Sequence, residues 1–307
     1  MRLCTFELQG ERRIGAVVGD RMVDLAAAHK GWLESQGGDL AQTLPTDMVA
    51  LLERGEEGLA SAQAAVRYGS GQPTGQRLSY NLAEVKLKAP IPRPGKVIMT
   101  GLNYASHIGE ARMTRSEYPW TSLKFSSNVI GPGEPIRRHQ LTNQLDGEVE
   151  LAFVVGRRGK YVPEDEAMGY VAGYTIINDV SARDIQFRGS NPQWHFTLGK
   201  NADTFAPIGP FLVTKDEVSD VYDLDIEHRV NGEVMQHANT SELVFSISRL
   251  FSFFSQYFTM EPGDIASTGT CKFFVGRDKR RFWQPGDLVE MEIEQVGILA
   301  NPVIADE

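Results

Sequence analysis

The chain has 307 residues, of which 41% are hydrophobic and 23% charged, with a formal net charge of −9. That is an ordinary globular chain with a sizeable core, and its acidity excludes a nucleic-acid groove, which needs a basic face, as its main purpose. Cys4 and Cys271 are the only cysteines and lack metal or redox spacing, and no apolar run reaches the roughly 18–20 residues of a membrane span.

In chain order, "RLCTFEL", "RIGAVVGD" and "RMVDLAAA" read as short strands separated by turns at Gly10 and Gly19-Asp20. Charges in "MRLCTFELQGERRIG" stand where a signal peptide needs its apolar stretch, so a cytoplasmic location is expected. Helical periodicity follows in "PTDMVALLERGEEGLASAQAAVRYG", with Thr46 or Asp47 as cap. The polar stretch "GSGQPTGQRLS" and the proline-rich "APIPRPGK" bracket a boundary placed near residue 80. A small N-terminal α+β domain over 1–80 and a larger domain over 81–307 are therefore expected.

Strand signals dominate the larger part. "KVIMTGL", "VELAFVVGR" and "GYVAGYTIIND" are rich in β-branched and aliphatic residues. Asn231-Gly232, between alternating segments, predicts a hairpin. "SELVFSISRLFSFFSQYF" predicts a helix buried on most sides, and "EPGD" and "QPGD" each turn into a strand. The fold class is α+β and β-rich rather than a doubly wound sheet.

The chemistry concentrates at "LDGEVELAFVVG". Glu148 and Glu150, at i and i+2 of a strand, project from one face, and Asp179 ends the apolar run "YTIIN". Three carboxylates without a thiol suit a hard cation such as Mg²⁺, Mn²⁺ or Ca²⁺. Alone, the glutamate pair is also compatible with the solvent face of a strand entry. In "GLNYASHIGE", His107 and Glu110 share a face if the segment is helical, and a carboxylate beside an imidazole makes a general base. Lys200 follows the aromatic-apolar stretch "WHFTL".

Taken together, "RIGAVVGDRMVDL", "GLNYASHIGE", "LKFSSNVIGPGEPI", "LDGEVELAFVVG", "GYTIINDVSARDIQ", "LGKNADTFAPIGPFLVT" and "GDIASTGT" resemble the fumarylacetoacetate hydrolase family, in its bacterial acylpyruvate-hydrolase-like branch, over nearly the whole chain. The resemblance implies a rolled mixed β-sheet in the catalytic domain and a homodimer. It implies a metal triad of Glu148, Glu150 and Asp179 holding Mg²⁺ or Mn²⁺ (with Ca²⁺ a further candidate), a water-activating dyad of His107 and Glu110, and an active-site Lys200. Arg183 and Gln186 match positions that contact substrate oxygens, Thr270 one near the substrate carboxylate, and Thr204 one that supports the metal shell. After "STGT" the chain continues "CKFFVG" where many bacterial relatives have a proline-containing, glycine-rich loop.

The implied substrate is a small 2-oxo acid. The leading expectation is metal-dependent hydrolysis of a C–C bond in an acylpyruvate, such as fumarylpyruvate, maleylpyruvate or a diketo-deoxy sugar acid, giving pyruvate and a carboxylic acid. His107 backed by Glu110 would deprotonate the attacking water, and Lys200 would stabilise the oxyanion or protonate the enolate. The alternative is oxaloacetate decarboxylation, or hydration or isomerisation of a 2-oxo acid, at the same site.

Overall fold

The computed structural model describes residues 1–72, 77–111, 113–189, 195–273 and 281–306; the side chain of Glu110 and residues 274–276 of the departing loop lie outside the described residues. Among the described residues a 12-stranded sheet organises the chain. Ten strands run across it in the order Ser79–Asn81, Arg21–Asp24, Glu11–Val18, Arg2–Leu8, Ala206–Thr214, Val171–Asn178, Val149–Val155, Ile265–Ser267, Val97–Gly101 and Trp120–Lys124, while Lys86–Lys88 pairs with Arg2–Leu8 and Val129–Ile130 with Ala206–Thr214. A second, 5-stranded sheet holds Glu233–Asn239, Asp225–Val230, Leu288–Ile293, Gly297–Ala305 and Ile136–Arg138. The β-rich α+β class is the observed one.

The three central strands Val149–Val155, Val171–Asn178 and Ala206–Thr214 are buried along their whole length. Their continuous apolar runs have this cause, because both faces are covered. Ala152, Val154, Ile177 and Leu212 pack with the N-terminal helices through Leu51, Ala62 and Ala65. Leu151, Phe153, Ile176 and Val213 pack with the second sheet and with Leu250, Phe251 and Phe254 of the helix Ile247–Tyr257.

Several expectations change in detail. "DLAAA" does not continue its strand. Asp24 ends Arg21–Asp24 and caps the helix Leu25–Gln36, its carboxylate accepting from Ala27 N at 3.1 Å. The expected single helix after residue 46 is two, Met48–Glu53 and Gly55–Ser70, broken where Gly55 adopts φ 57°. The helix in "SELVFSISRLFSFFSQYF" starts only at Ile247, where Ser246 caps it by accepting from Arg249 N at 3.1 Å. The N-terminal strands extend the central sheet, Arg2 and Leu3 pairing with Val213 and Leu212. The Asn231-Gly232 hairpin forms, both residues taking positive φ (52° and 82°) as a tight two-residue turn requires.

Candidate active site

Glu150 lies opposite Ile177, and Val149 opposite Asn178, on antiparallel strands. One step further Asp179 N donates to Glu148 O at 3.0 Å, so Asp179 faces Glu148. The two-residue period of both strands then directs Glu148, Glu150 and Asp179 to one side. All three are buried, and a carboxylate oxygen from each lies within 4.8 Å of the others. Ionised carboxylates about 5 Å apart repel by about 3 kcal/mol per pair at an effective dielectric near 20, so this cluster requires positive charge or a proton.

Three buried cations supply part of it. Lys200 Nζ bonds Glu148 Oε2 at 3.0 Å and also Asp179 Oδ2. Arg183 reaches Glu148 Oε1 at 2.8 Å, Asp146 Oδ2 at 3.1 Å and Gln186 Oε1 at 3.1 Å, one bond from each nitrogen. Lys124 Nζ stands 2.9 Å from Asp179 Oδ1 and donates to the carbonyls of Val180, Lys200 and Phe205.

The charges divide the carboxylates. Burial pushes Glu148 up, but Arg183, Lys200 and His107 outweigh it and hold Glu148 well below the ordinary range. Glu150 moves the other way: burial, then Asp179 and Glu148, push it well above that range, against a hydrogen bond from Ser267. Burial lowers Lys124 despite Asp179, whereas Asp179 and Glu148 outweigh burial at Lys200 and raise it.

Glu150 Oε2 is buried without a hydrogen-bond partner among the described residues, on a face shared with two further carboxylates. An all-oxygen donor set with a buried, unpartnered oxygen fits a hard divalent cation such as Mg²⁺ or Mn²⁺. The triad opens into a cavity that His107, Gln186, Thr270, Trp120 and Phe196 also line. Trp120 and Phe196 meet edge to face at 4.6 Å and form an aromatic wall beside the carboxylates.

The sequence model of the fumarylacetoacetate (FAA) hydrolase C-terminal region matches residues 96–304. The chain belongs to this family. It is 40% identical over 316 aligned residues to the oxaloacetate tautomerase FAHD2A, mitochondrial, of Bos taurus, covering 99% of this chain and 98% of that protein. The Xenopus laevis oxaloacetate tautomerase fahd2, mitochondrial, is 41% identical over 263 residues, 85% of this chain and 80% of the relative. Among solved structures, maleylpyruvate hydrolase from Sphingobium sp. SYK-6 in complex with manganese (II) ion and pyruvate is similar with a TM-score of 0.77 and 29% identity, each chain covered in full. The 5-carboxymethyl-2-hydroxymuconate delta-isomerase from Mycobacterium smegmatis is similar with a TM-score of 0.73 and 31% identity, again over 100% of both chains.

Within this family fold, the residues singled out from sequence have different placements. Glu148, Glu150, Asp179, Lys200, Arg183 and Gln186 come together around the cavity, and His107 lines it from the helix Ala105–Ala111. Glu110 lies on that helix, but its side chain is outside the described residues. Thr270 lines the cavity, yet its hydroxyl donates to Val149 O at 2.9 Å, so donation to a substrate carboxylate would break a bond to the backbone between the two glutamates. Thr204 points elsewhere: its hydroxyl accepts from Arg137 N at 2.9 Å. Its neighbour Phe205 connects to the triad, its carbonyl accepting from Lys124.

Sequence reasoning missed Lys124, Asp146 and Ser267. Lys124 sits in "WTSLKF" with no local pattern to separate it from a solvated lysine. Ser267 accepts from Thr100 N at 3.1 Å and hydrogen-bonds Glu150, a link between strands distant in the chain. Asp146, two residues before Glu148, was the legible one, since it extends the same alternating carboxylate pattern to "DGEVE".

Proposed function

We propose that the chain is a divalent-metal-dependent enzyme that interconverts the keto and enol forms of a small 2-oxo acid, with oxaloacetate as the first candidate. The observation that carries this reading is the buried Glu148–Glu150–Asp179 triad opening into one cavity with Lys200, Arg183 and His107. Relatives named as oxaloacetate tautomerases, similar over nearly the full length of the chain, favour this chemistry over C–C cleavage. Glu148, Glu150 and Asp179 would hold Mg²⁺ or Mn²⁺, which supplies Lewis acidity toward a 2-oxo carboxylate.

Tautomerisation moves one proton from the enol oxygen to the neighbouring carbon, with no net bond to water. It therefore needs a proton acceptor and a proton donor. His107, on the cavity wall, takes the enol proton and then returns a proton to the neighbouring carbon, serving as both acceptor and donor, while the Lys200 ammonium, raised by its carboxylate neighbours, stabilises the negative charge between the two transfers. Gln186, held through Oε1 by Arg183, directs its amide toward substrate oxygens. The aromatic wall of Trp120 and Phe196 limits access of bulk water.

A second reading is hydrolysis of an acylpyruvate, supported by the maleylpyruvate hydrolase similarity and by a histidine placed where it could activate water. The test is a parallel assay with Mn²⁺ or Mg²⁺. Faster decay of the enol absorbance of fresh oxaloacetate, with no pyruvate or carbon dioxide released, supports tautomerisation. Stoichiometric pyruvate from an acylpyruvate, with oxaloacetate enol decay at the uncatalysed rate, overturns it in favour of hydrolysis. A homodimer and a cytoplasmic location belong to the same reading, and a solution mass equal to one chain would remove the dimer from it.

A further inference from the structure

Gln236 is fully buried on the inward face of Glu233–Asn239, an edge strand of the second sheet, where alternation would place an apolar side chain. Its carboxamide uses its whole hydrogen-bonding capacity. Nε2 donates to Thr270 Oγ1 at 3.0 Å and to Cys271 O at 2.9 Å. Oε1 accepts from Val149 N at 3.3 Å and meets His228 Nδ1 at 3.3 Å. Cys271 O can only accept and Val149 N can only donate, so the orientation of the amide is determined from both ends. Facing a carbonyl oxygen, His228 Nδ1 must carry the hydrogen.

Thr270 closes the path by donating to Val149 O at 2.9 Å. Both backbone polar groups of Val149 are therefore held by two side chains that also bond each other. Val149 lies between Glu148 and Glu150, so this circuit fixes the two peptide planes joining them. The carbonyl of the first plane, Glu148 O, accepts from Asp179 N at 3.0 Å, which ties in the third carboxylate. On this edge of Val149–Val155, the neighbouring segment bonds Leu151 O through Thr268 N at 2.8 Å. Two residues along, side chains of Thr270 and Gln236 take over from backbone pairing.

We propose that Gln236 is a positioning residue for the carboxylate triad, anchoring the Glu148–Val149–Glu150 backbone to the second sheet through the circuit with Thr270. The inference rests on the reading that the triad holds a divalent cation. Loosening those peptide planes would spread the carboxylates without removing any of them, so the expected loss is in cation affinity, on the scale of about tenfold seen for partners that orient ligands.

The probe is Mn²⁺ alone, titrated into the full chain by calorimetry and followed by the electron paramagnetic resonance signal of the bound ion. Gln236→Leu and Thr270→Val are each expected to weaken Mn²⁺ binding about tenfold and broaden the bound-ion spectrum. The double variant is expected to lose no more than either single one, because breaking one link opens the same circuit. Thr270→Ser, which keeps the hydroxyl, is expected to retain affinity within twofold. Should Gln236→Leu fail to fold, Thr270→Val tests the circuit from its other side. Wild-type Mn²⁺ affinity in a folded Gln236→Leu or Thr270→Val chain overturns the inference alone, as do losses that multiply in the double variant. Absence of Mn²⁺ binding by the wild-type chain overturns the metal reading and the inference with it.

Discussion

Lys124 and Asp179 form an ion pair of 2.9 Å with both side chains buried, and the lysine joins strand Trp120–Lys124 to the carboxylate cluster. Asn201 holds the backbone on either side of that lysine, donating to Leu123 O at 3.1 Å and accepting from Phe125 N at 2.7 Å. Replacing Lys124 with Met would leave Asp179 Oδ1 and three carbonyls facing an apolar end. The expected destabilisation is about 3–5 kcal/mol, the range for removing one partner of a buried ion pair. Urea unfolding measures it, and a loss below about 1 kcal/mol would contradict the assigned role. Lys124→Arg is not expected to restore stability, because a planar guanidinium cannot reproduce three carbonyl contacts converging on one nitrogen.

Chelation should abolish turnover reversibly. Treatment with EDTA followed by dialysis is expected to leave an inactive, folded chain that Mn²⁺ restores. Glu150→Gln should not be restored by Mn²⁺ at concentrations that saturate wild type, its affinity falling by about 100-fold or more, at least the cost of outer-shell changes. Full activity after rigorous chelation would refute a metal-dependent reaction.

His107→Ala should separate proton transfer from cation binding. Turnover is expected to fall about 100- to 10,000-fold, the usual contribution of a general acid or base, while Mn²⁺ affinity stays within about twofold. Measuring both on one preparation decides the point. Unchanged turnover would remove His107 from the mechanism.

Cys4 lies fully buried in Arg2–Leu8, and burial pushes its thiol up to about 12. The neutral thiol is therefore the form that folding favours. Its contribution is intact below the unfolded thiol value of about 8.5 and declines as the pH rises above it. In a Cys271→Ser background, Ellman's reagent at pH 8 should detect no fast-reacting thiol until denaturant is added. Rapid modification of the folded chain would contradict this placement.

The carboxylate cluster was more legible in the sequence than the element boundaries were. "EVE" before an apolar strand and an aspartate ending the next are a pattern with period two, and the antiparallel register of the two strands converts it directly into a cluster. The helix Leu25–Gln36 escaped because its capping Asp24 is also the last residue of a strand, so the sequence changes period without a turn to mark it. The pairing of the N-terminal strands with the central sheet escaped for a different reason. A polar, proline-rich segment near residue 80 cannot report that Arg2–Leu8 pairs with Ala206–Thr214.

Local order of residues thus determined that Glu148 and Glu150 share a face, where the tight hairpin turns, and which central segments are strands. Those properties follow from strand period, turn chemistry and hydrophobic content, each confined to a few consecutive residues. Tertiary structure alone decided that Lys124 neutralises Asp179 from a strand 55 residues earlier, and that Gln236 reaches Val149 from 87 residues later. Those partners are uncharged or solitary in their own segments. Only burial beside the cluster gives them a role, because in a low-dielectric interior every charge and backbone group near the carboxylates must find a partner.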